Sequence, residues 1–311
     1  MNLKQNFQNQ IAESLFGGNL SEESVCFFKR FAPENHPDNR KSTHKEIAEK
    51  LKEDLGVYCE EKINQTIRKV IEVLHKAYEE EMKADGVNTE ALLNLRRGGT
   101  LKGKDDEESN KKFSPWKEVY NWLWNHKYLR WLDENGWKIL QNKAKSDCPW
   151  IQFISAQEIA SQTRIPKRPS PPPSAQKVPP TIPVNQPLSM VVDLAYPNYQ
   201  LLLFNRSAEG QYLLCPSLSF APKGLIDKPP ILLPQKDSWA DENQEWFTFE
   251  VLGEEEFLAI ALEKPLNLDW LVPCDEDSLP ECTGSRFKEL FDKLEQQENC
   301  HVFYQSFEVV E

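Results

Sequence analysis

The side chains best suited to nucleophilic or metal chemistry in this chain are seven cysteines and five histidines. The cysteines are widely spaced and contain no Cys-x-x-Cys pair, so neither a redox motif nor a zinc site is indicated. A Cys–His dyad would have to be assembled by the fold, for example from Cys59 and His75 or from Cys300 and His301. Adjacent residues point to opposite sides of a strand, which disfavours the second pair.

Motifs of the common enzyme classes do not occur in the sequence. There is no Walker A loop, no Gly-x-Gly-x-x-Gly, no Gly-x-Ser-x-Gly and no His-Glu-x-x-His. The acidic runs 254–256 and 275–277 lack the alternating ligand spacing and the glycine of a calcium loop, which favours solvated surface. We therefore predict a protein without catalytic activity, cofactor or metal.

The charge of the chain changes sharply along its length. Residues 1–150 carry 25 Lys or Arg and 25 Asp or Glu, whereas residues 188–311 carry 8 and 23. Between them, residues 163–187 contain nine prolines and no acid. Because proline fixes φ and lacks an N–H, this segment is predicted to be an extended tether. The predicted fold class is α+β with two domains: a helical domain at 1–160, a proline-rich linker at 161–189 and an acidic, β-rich domain at 190–311.

The composition is that of a soluble protein. The net charge is −12 over 311 residues, and no apolar run reaches the roughly 18 residues that a membrane helix requires. The first residues show no basic segment followed by an apolar stretch, so no secretory signal is expected. An odd number of scattered cysteines favours reduced thiols. We expect a cytoplasmic protein with no membrane segment.

Helix signals dominate the first 150 residues. Ser21 is predicted to cap a helix with an acidic first turn. Thr43 and Glu46 have the spacing of a capping box, and Gly56 is predicted to end the helix that they begin. A longer helix is predicted from about Glu60, with apolar residues at spacings of three and four.

Residues 42–81 resemble a helix-turn-helix or winged-helix unit, with Ala48 where two helices would cross and Gly56 in the turn. That resemblance implies a second helix that contacts bases and phosphates in the major groove of DNA. The alternative is a helical hairpin with solvated basic side chains, which the long turn and the acidic end of the second helix favour. The residues that would contact DNA are Lys62, Asn64, Gln65, Arg68 and Lys69.

An aromatic helix is predicted to begin at Ser114 and Pro115. Residues 133–136, Asp-Glu-Asn-Gly, are predicted to form a turn. Five tryptophans lie within residues 116–137, and their helical spacing indicates that most of them belong to a core. Trp122 falls on a different side of this helix from the others, so we predict that it lies at a protein interface.

The acidic domain is predicted to consist of strands joined by turns, followed by a helix at 284–297 and a final strand at 302–310. Residues 190–271 resemble the DUF4384 family, known mainly from multidomain bacterial proteins. That resemblance implies a small sandwich-like β domain appended to effector, peptidase-like or signalling modules, and it implies no reaction. The motif residues are 201–204, Glu209-Gly210, 212–216, Leu233-Pro234, 253–261 and Pro265-Leu266.

The sequence therefore favours a non-catalytic adaptor or regulator that binds protein partners through both domains, in a bacterial signalling or defence pathway. Trp122 and the acidic run Glu254, Glu255 and Glu256 are the predicted interface residues. The alternative is a transcription regulator that binds DNA through the helix at 60–81 and uses the acidic domain as a sensor. A third interpretation makes residues 1–150 an oligomerisation module, and the oligomeric state is left open.

Overall fold

Helices occupy the N-terminal part of the protein and strands the C-terminal part, as predicted. The chain divides into two compact units, Met1–Trp131 and Leu132–Glu311. The computed structural model describes residues 3–17, 21–36, 42–93, 114–145, 149–155, 180–273 and 278–311. Most of the predicted linker, 161–179, and the acidic run 275–277 lie outside these ranges.

The first unit is built from helices throughout its described residues. A 3-10 turn, Glu60–Lys62, precedes the longest helix, and a π-helical segment, Leu123–Lys127, precedes the last. The last helix runs from the first unit into the second. The helices are α1 Leu3–Phe16, α2 Glu22–Arg30, α3 His44–Leu55, α4 Ile63–Ala84, α5 Thr89–Leu93, α6 Pro115–Trp122 and α7 Tyr128–Gln141.

The predicted helix ends are confirmed where the signal is local. The Ser21 side chain accepts the Ser24 backbone N–H at 3.0 Å. Thr43 and Glu46 form both bonds of the capping box. Gly56 ends α3 with φ of 71°, a left-handed conformation that costs little without a Cβ. The Ser114 side chain, in contrast, makes no capping bond, although Pro115 begins α6.

The second unit contains two mostly antiparallel sheets that share one core. The core includes Leu203 and Phe257 from the larger sheet, and Ile151 and Met190 from the smaller one. The sheet orders are β2-β8-β7-β4-β5 and β1-β3-β6. The strands are β1 Ile151–Ser155, β2 Thr181–Pro183, β3 Leu188–Val192, β4 Gln200–Ser207, β5 Gly210–Cys215, β6 Ile231–Leu233, β7 Gly253–Leu262 and β8 Cys300–Val310.

This unit contains more helix than the single one predicted. Besides the end of α7 it has a short helix, α8 Trp239–Glu242, and a longer one, α9 Gly284–Leu294. α9 and β8 correspond to the predicted C-terminal helix and strand. The Arg206 guanidinium of β4 lies 5.9 Å from the centre of the Trp137 ring of α7. The aliphatic residues of β7 alternate between the shared core and the opposite face of the larger sheet.

The predicted turn at 133–136 is wrong, because α7 continues through it. Gly136 is buried there, and a Cβ on it would lie 2.7 Å from the Phe287 Cγ of α9. The glycine therefore permits close packing of two helices, whereas the sequence pattern suggested a chain reversal.

Two short strands lie where the sequence suggested helix or tether. β1 pairs with β3, which places it in the smaller sheet, whereas the predicted division assigned residues 151–155 to the helical domain. β2 pairs in parallel with β8, and Ile182 is buried in the shared core. Residues 180–189 thus pack as part of the second unit, and the prolines are accommodated because β2 is an edge strand.

Candidate functional site

The residues predicted to contact DNA share the exposed side of α4 and the 3-10 turn that precedes it. Apolar residues at spacings of three and four face the core of the first unit from the other side, including Ile63, Ile67 and Val70. This amphipathic pattern turns the polar residues outward. The five exposed residues are Lys62, Asn64, Gln65, Arg68 and Lys69.

Two of the basic side chains on this surface, Arg68 and Lys69, are paired with carboxylates. Arg68 Nε lies 3.2 Å from Glu72 Oε1, and Lys69 Nζ lies 3.4 Å from Glu23 Oε1. Residues 1–131 carry 22 Lys or Arg and 22 Asp or Glu, so the unit has no excess of positive charge. Non-specific affinity for DNA comes mainly from basic side chains on phosphates. The exposed side of α4 is therefore accessible, but its charge does not favour DNA.

A second feature of the first unit is the turn between α3 and α4. Val57 and Tyr58 are 41% and 49% exposed there, although both side chains are apolar over most of their surface. An open cavity of about 540 Å³ lies beside them. It is lined by His44, Tyr58, Cys59, Glu60, Glu61 and Asn64. The turn thus presents an aromatic ring beside an acidic rim, a combination that the sequence prediction overlooked.

Trp122 does not lie at a surface, and its predicted interface role is corrected. Its side chain is 1% exposed, and its indole N–H donates to Asp85 Oδ2 at 2.7 Å. The ring packs 5.7 Å from that of Tyr78, where the helical conformation of α4 is interrupted. Helical spacing shows that Trp122 points to a different side from Trp124, but it cannot show that α4 covers this side.

Asp85 is the centre of a polar cluster within the first unit. Besides the Trp122 indole, it accepts bonds from both terminal nitrogens of Arg130, and His126 Nδ1 lies 3.5 Å away. Arg130 is the main reason that the pKa of Asp85 is held below its ordinary value. A neighbouring carboxylate, Glu81, accepts two bonds from Lys127. With its oxygens bound to cations, Asp85 is suited to joining helices and not to proton transfer.

The predicted acidic interface at 254–256 is divided between two faces of β7. Glu254 is exposed, Glu255 is 7% exposed on the face of the shared core, and Glu256 is half-buried on the outer face. Glu255 accepts a bond from Asn205 Nδ2 at 2.8 Å, whereas Glu256 accepts one from the Tyr304 hydroxyl at 2.8 Å. Only Glu254 is free to meet a partner through its whole side chain, and the interface prediction is corrected for Glu255.

Burial raises the pKa of Glu255, since the surrounding core disfavours the charged carboxylate. The folded state therefore binds the proton more tightly than the unfolded state, and stability falls as the pH rises through the folded pKa. Glu255→Gln keeps an acceptor for Asn205 and removes the charge. We expect it to raise the melting temperature at pH 7 and to flatten its dependence on pH between about 4 and 7. Differential scanning calorimetry across that range measures both effects, with exposed Glu289→Gln as the control. An unchanged or lower melting temperature at pH 7 would contradict this expectation.

The structure gives no support for either of the two Cys–His pairs considered from the sequence. Cys59 precedes α4, whereas His75 lies twelve residues into that helix, about 18 Å along its axis. Cys300 and His301 are neighbours on β8, and the His301 ring stacks on Tyr196 at 4.3 Å. Burial raises the pKa of the Cys300 thiol, and it raises those of Cys26, Cys215 and Cys282 to about 12. These thiols are therefore poor nucleophiles at neutral pH.

The second unit has a polar cavity of about 470 Å³ beside the N-terminus of α9. Trp270 and Arg286 line it, with the guanidinium carbon 5.7 Å from the centre of the indole ring. Among the residues that the structure describes, no group of three or more His, Cys, Asp or Glu side chains could hold a metal ion. None of the described helices is long and apolar enough to cross a membrane.

Comparison with known proteins gave no match. No protein-family model fits the chain, and neither a curated protein nor a solved structure is significantly similar to it. The resemblances to DUF4384 and to winged-helix units therefore remain predictions. No strand occurs in the described residues of the first unit, so the wing of a winged helix has no counterpart among them.

Proposed function

We propose that this protein is a non-catalytic adaptor that binds protein partners through surfaces on both of its units. The observation that carries the proposal is the exposed turn at Val57 and Tyr58, beside the open cavity between the first residues of α3 and α4. Tyrosine is enriched in protein interfaces because it brings a large apolar area and a hydroxyl at a small entropic cost. The acidic rim gives such a surface a preference for basic partners.

The electrostatic environment of the described thiols supports a function without nucleophilic catalysis, because burial holds several of them in the protonated form. The resemblance of residues 190–271 to DUF4384 supports a place in a bacterial signalling or defence pathway. Buried Trp122 and Glu255 are not part of the proposed surfaces.

The proposal is tested with the full-length chain as bait. A Val57→Ser/Tyr58→Ser variant is compared with the wild type and with Leu93→Ser, which changes another exposed apolar residue of the first unit. Proteins retained from an extract of the source cells are quantified, and the best candidate is purified for calorimetric titration. Because an interface anchor contributes about 2 kcal/mol or more, we expect roughly 30-fold weaker binding for the turn variant and little change for Leu93→Ser. If no purified candidate distinguishes the two variants, the turn is not a docking surface.

The DNA-binding alternative is favoured by one observation, the exposure of all five residues predicted to contact DNA. It requires Arg68 and Lys69 to leave their carboxylate partners for phosphates. Fluorescence anisotropy of the full-length chain with random duplex DNA, at low and physiological salt, separates the two functions. Tight, salt-dependent binding that weakens with Arg68→Ala and Lys69→Ala would replace the adaptor by the regulator.

A further inference from the structure

At one end of the larger sheet in the second unit, side chains on the outer face are exposed. Glu254 of β7 lies directly opposite Glu308 of β8, and both side chains are exposed. Thr181 of the edge strand β2 is opposite Glu308 on its other side and is exposed as well. Towards the other end of β7 the same face is buried, at Leu258, Ile260 and Leu262. Along β7 the outer face is therefore solvated near Glu254 and buried towards Leu262.

The pairing of Glu254 with Glu308 is unfavourable for the fold. Like charges directly opposite each other on an antiparallel pair repel, and such pairs destabilise a sheet. Glu256, two residues along the same face, is held by Tyr304 and lies 3.4 Å from Arg206, whereas Glu254 and Glu308 belong to none of the ion pairs between described residues. A cation from outside this part of the chain would relieve the repulsion.

Exposed apolar residues adjoin this carboxylate pair. Val251 and Leu252 are 44% and 53% exposed, and they immediately precede the first residue of β7, Gly253. Gly253 has a φ of 129°, which strains other residues, so the chain enters β7 through a conformation that suits glycine. The apolar pair immediately precedes β7, and Glu254 near the start of that strand lies opposite Glu308 of β8; we call these four residues the β7 entry surface: Val251, Leu252, Glu254 and Glu308.

We propose that the β7 entry surface binds an extended basic segment of a partner protein, with Lys or Arg side chains on Glu254 and Glu308 and an apolar side chain on Val251 and Leu252. The inference rests on the adaptor function and gives its second unit a partner chemistry. Charge complementarity selects the partner, because residues 188–311 carry 8 basic and 23 acidic side chains. The apolar residues Val251 and Leu252 determine where on the acidic second unit the basic segment binds.

The probe for this surface is a fluorescein-labelled octapeptide of alternating arginine and valine, titrated against the full-length chain. Glu254→Gln/Glu308→Gln is compared with Glu289→Gln/Glu295→Gln, which removes the same charge from exposed positions at α9. Leu252→Ser is compared with Leu225→Ser, since both leucines are about half exposed. We expect at least tenfold weaker binding for the first member of each pair and less than a twofold change for the second.

Stability provides a second readout. Removal of the opposed charges should raise the melting temperature for Glu254→Gln/Glu308→Gln, whereas the single change Glu289→Gln, in the middle of α9, should leave it unchanged. Absence of peptide binding, or equal weakening by both double variants, would overturn the proposal and leave only general attraction to an acidic domain. The turn at Val57 and Tyr58 is tested separately. If only the β7 entry surface failed to bind the peptide, the protein would still be an adaptor, and its second unit would bind a partner through a different surface.

Discussion

Replacement of Gln305 by alanine is expected to lower the free energy of unfolding of the second unit by about 2–4 kcal/mol. Gln305 lies on β8 of the larger sheet, and its side chain reaches the edge of the smaller sheet. Its Oε1 accepts the backbone N–H groups of Trp150 and Ile151 at 2.9 and 3.0 Å, and its Nε2 donates to the Ile151 carbonyl at 3.1 Å. A single side chain thus takes the place of a neighbouring strand for the beginning of β1.

The expected loss is large because alanine would leave three backbone groups without these partners in a half-buried position. Gln296→Ala is the matched control, since that exposed amide lies just after α9 and donates to the Asp292 carbonyl of that helix. Urea unfolding measures the change, and hydrogen exchange of residues 150–155 localises it. A midpoint equal to that of the control, with β1 still protected, would mean that Gln305 does not hold the sheets together.

Local signals in the sequence predicted local structure well. The capping box at Thr43 and Glu46, the end of α3 at Gly56 and the alternation along β8 each depend on neighbours a few residues away. The exposed side of α4 was predicted for the same reason, because helical periodicity alone separates Arg68 from Ile67.

The residues that were predicted incorrectly owe their positions to distant contacts. Gly136 lies within α7 and against Phe287, and Trp122 is buried with its N–H bound to Asp85. Glu255 was assigned to the surface with its acidic neighbours, although alternation along a strand places the middle residue of three on the opposite face. That rule was available from the sequence, but composition suggested a uniform charged run. The exposed pairs Val57–Tyr58 and Val251–Leu252 gave no signal of their own, since exposure is decided by what the rest of the fold leaves uncovered.

Asp85→Ala is expected to lower the free energy of unfolding of the first unit by about 3 kcal/mol. Asp85 stands at the C-terminal end of α4, where the helix dipole disfavours a negative charge. Two hydrogen bonds from Arg130 and one from the indole N–H of Trp122 stabilise it there. The Trp122 side chain is 1% exposed. Without the carboxylate, a buried N–H loses its acceptor and a half-buried guanidinium loses its main partner.

Two comparisons separate this cluster from an ordinary surface ion pair. Glu80→Ala removes a carboxylate that is 89% exposed and pairs with Lys83 at 3.3 Å, so it should change stability by less than about 0.5 kcal/mol. Asp85→Asn keeps an oxygen for Trp122 but loses the charge that holds Arg130, and an intermediate loss is expected. Urea unfolding at pH 7 ranks the three variants. Equal stability of Asp85→Ala and Glu80→Ala would show that the cluster adds nothing beyond solvated charges.

The pH dependence of the Asp85 contribution has a definite sign. Arg130 lowers the pKa of Asp85 below its ordinary value, so on acidification the unfolded state takes up the proton first. The contribution of the carboxylate is therefore complete above the ordinary carboxyl range and is lost as the pH falls through the folded pKa. The stability difference between wild type and Asp85→Asn should be constant from about pH 5 to 7 and should shrink below about pH 4. A difference that vanished already at pH 6, above the ordinary carboxyl range, would show that the cluster does not depend on the charge of Asp85.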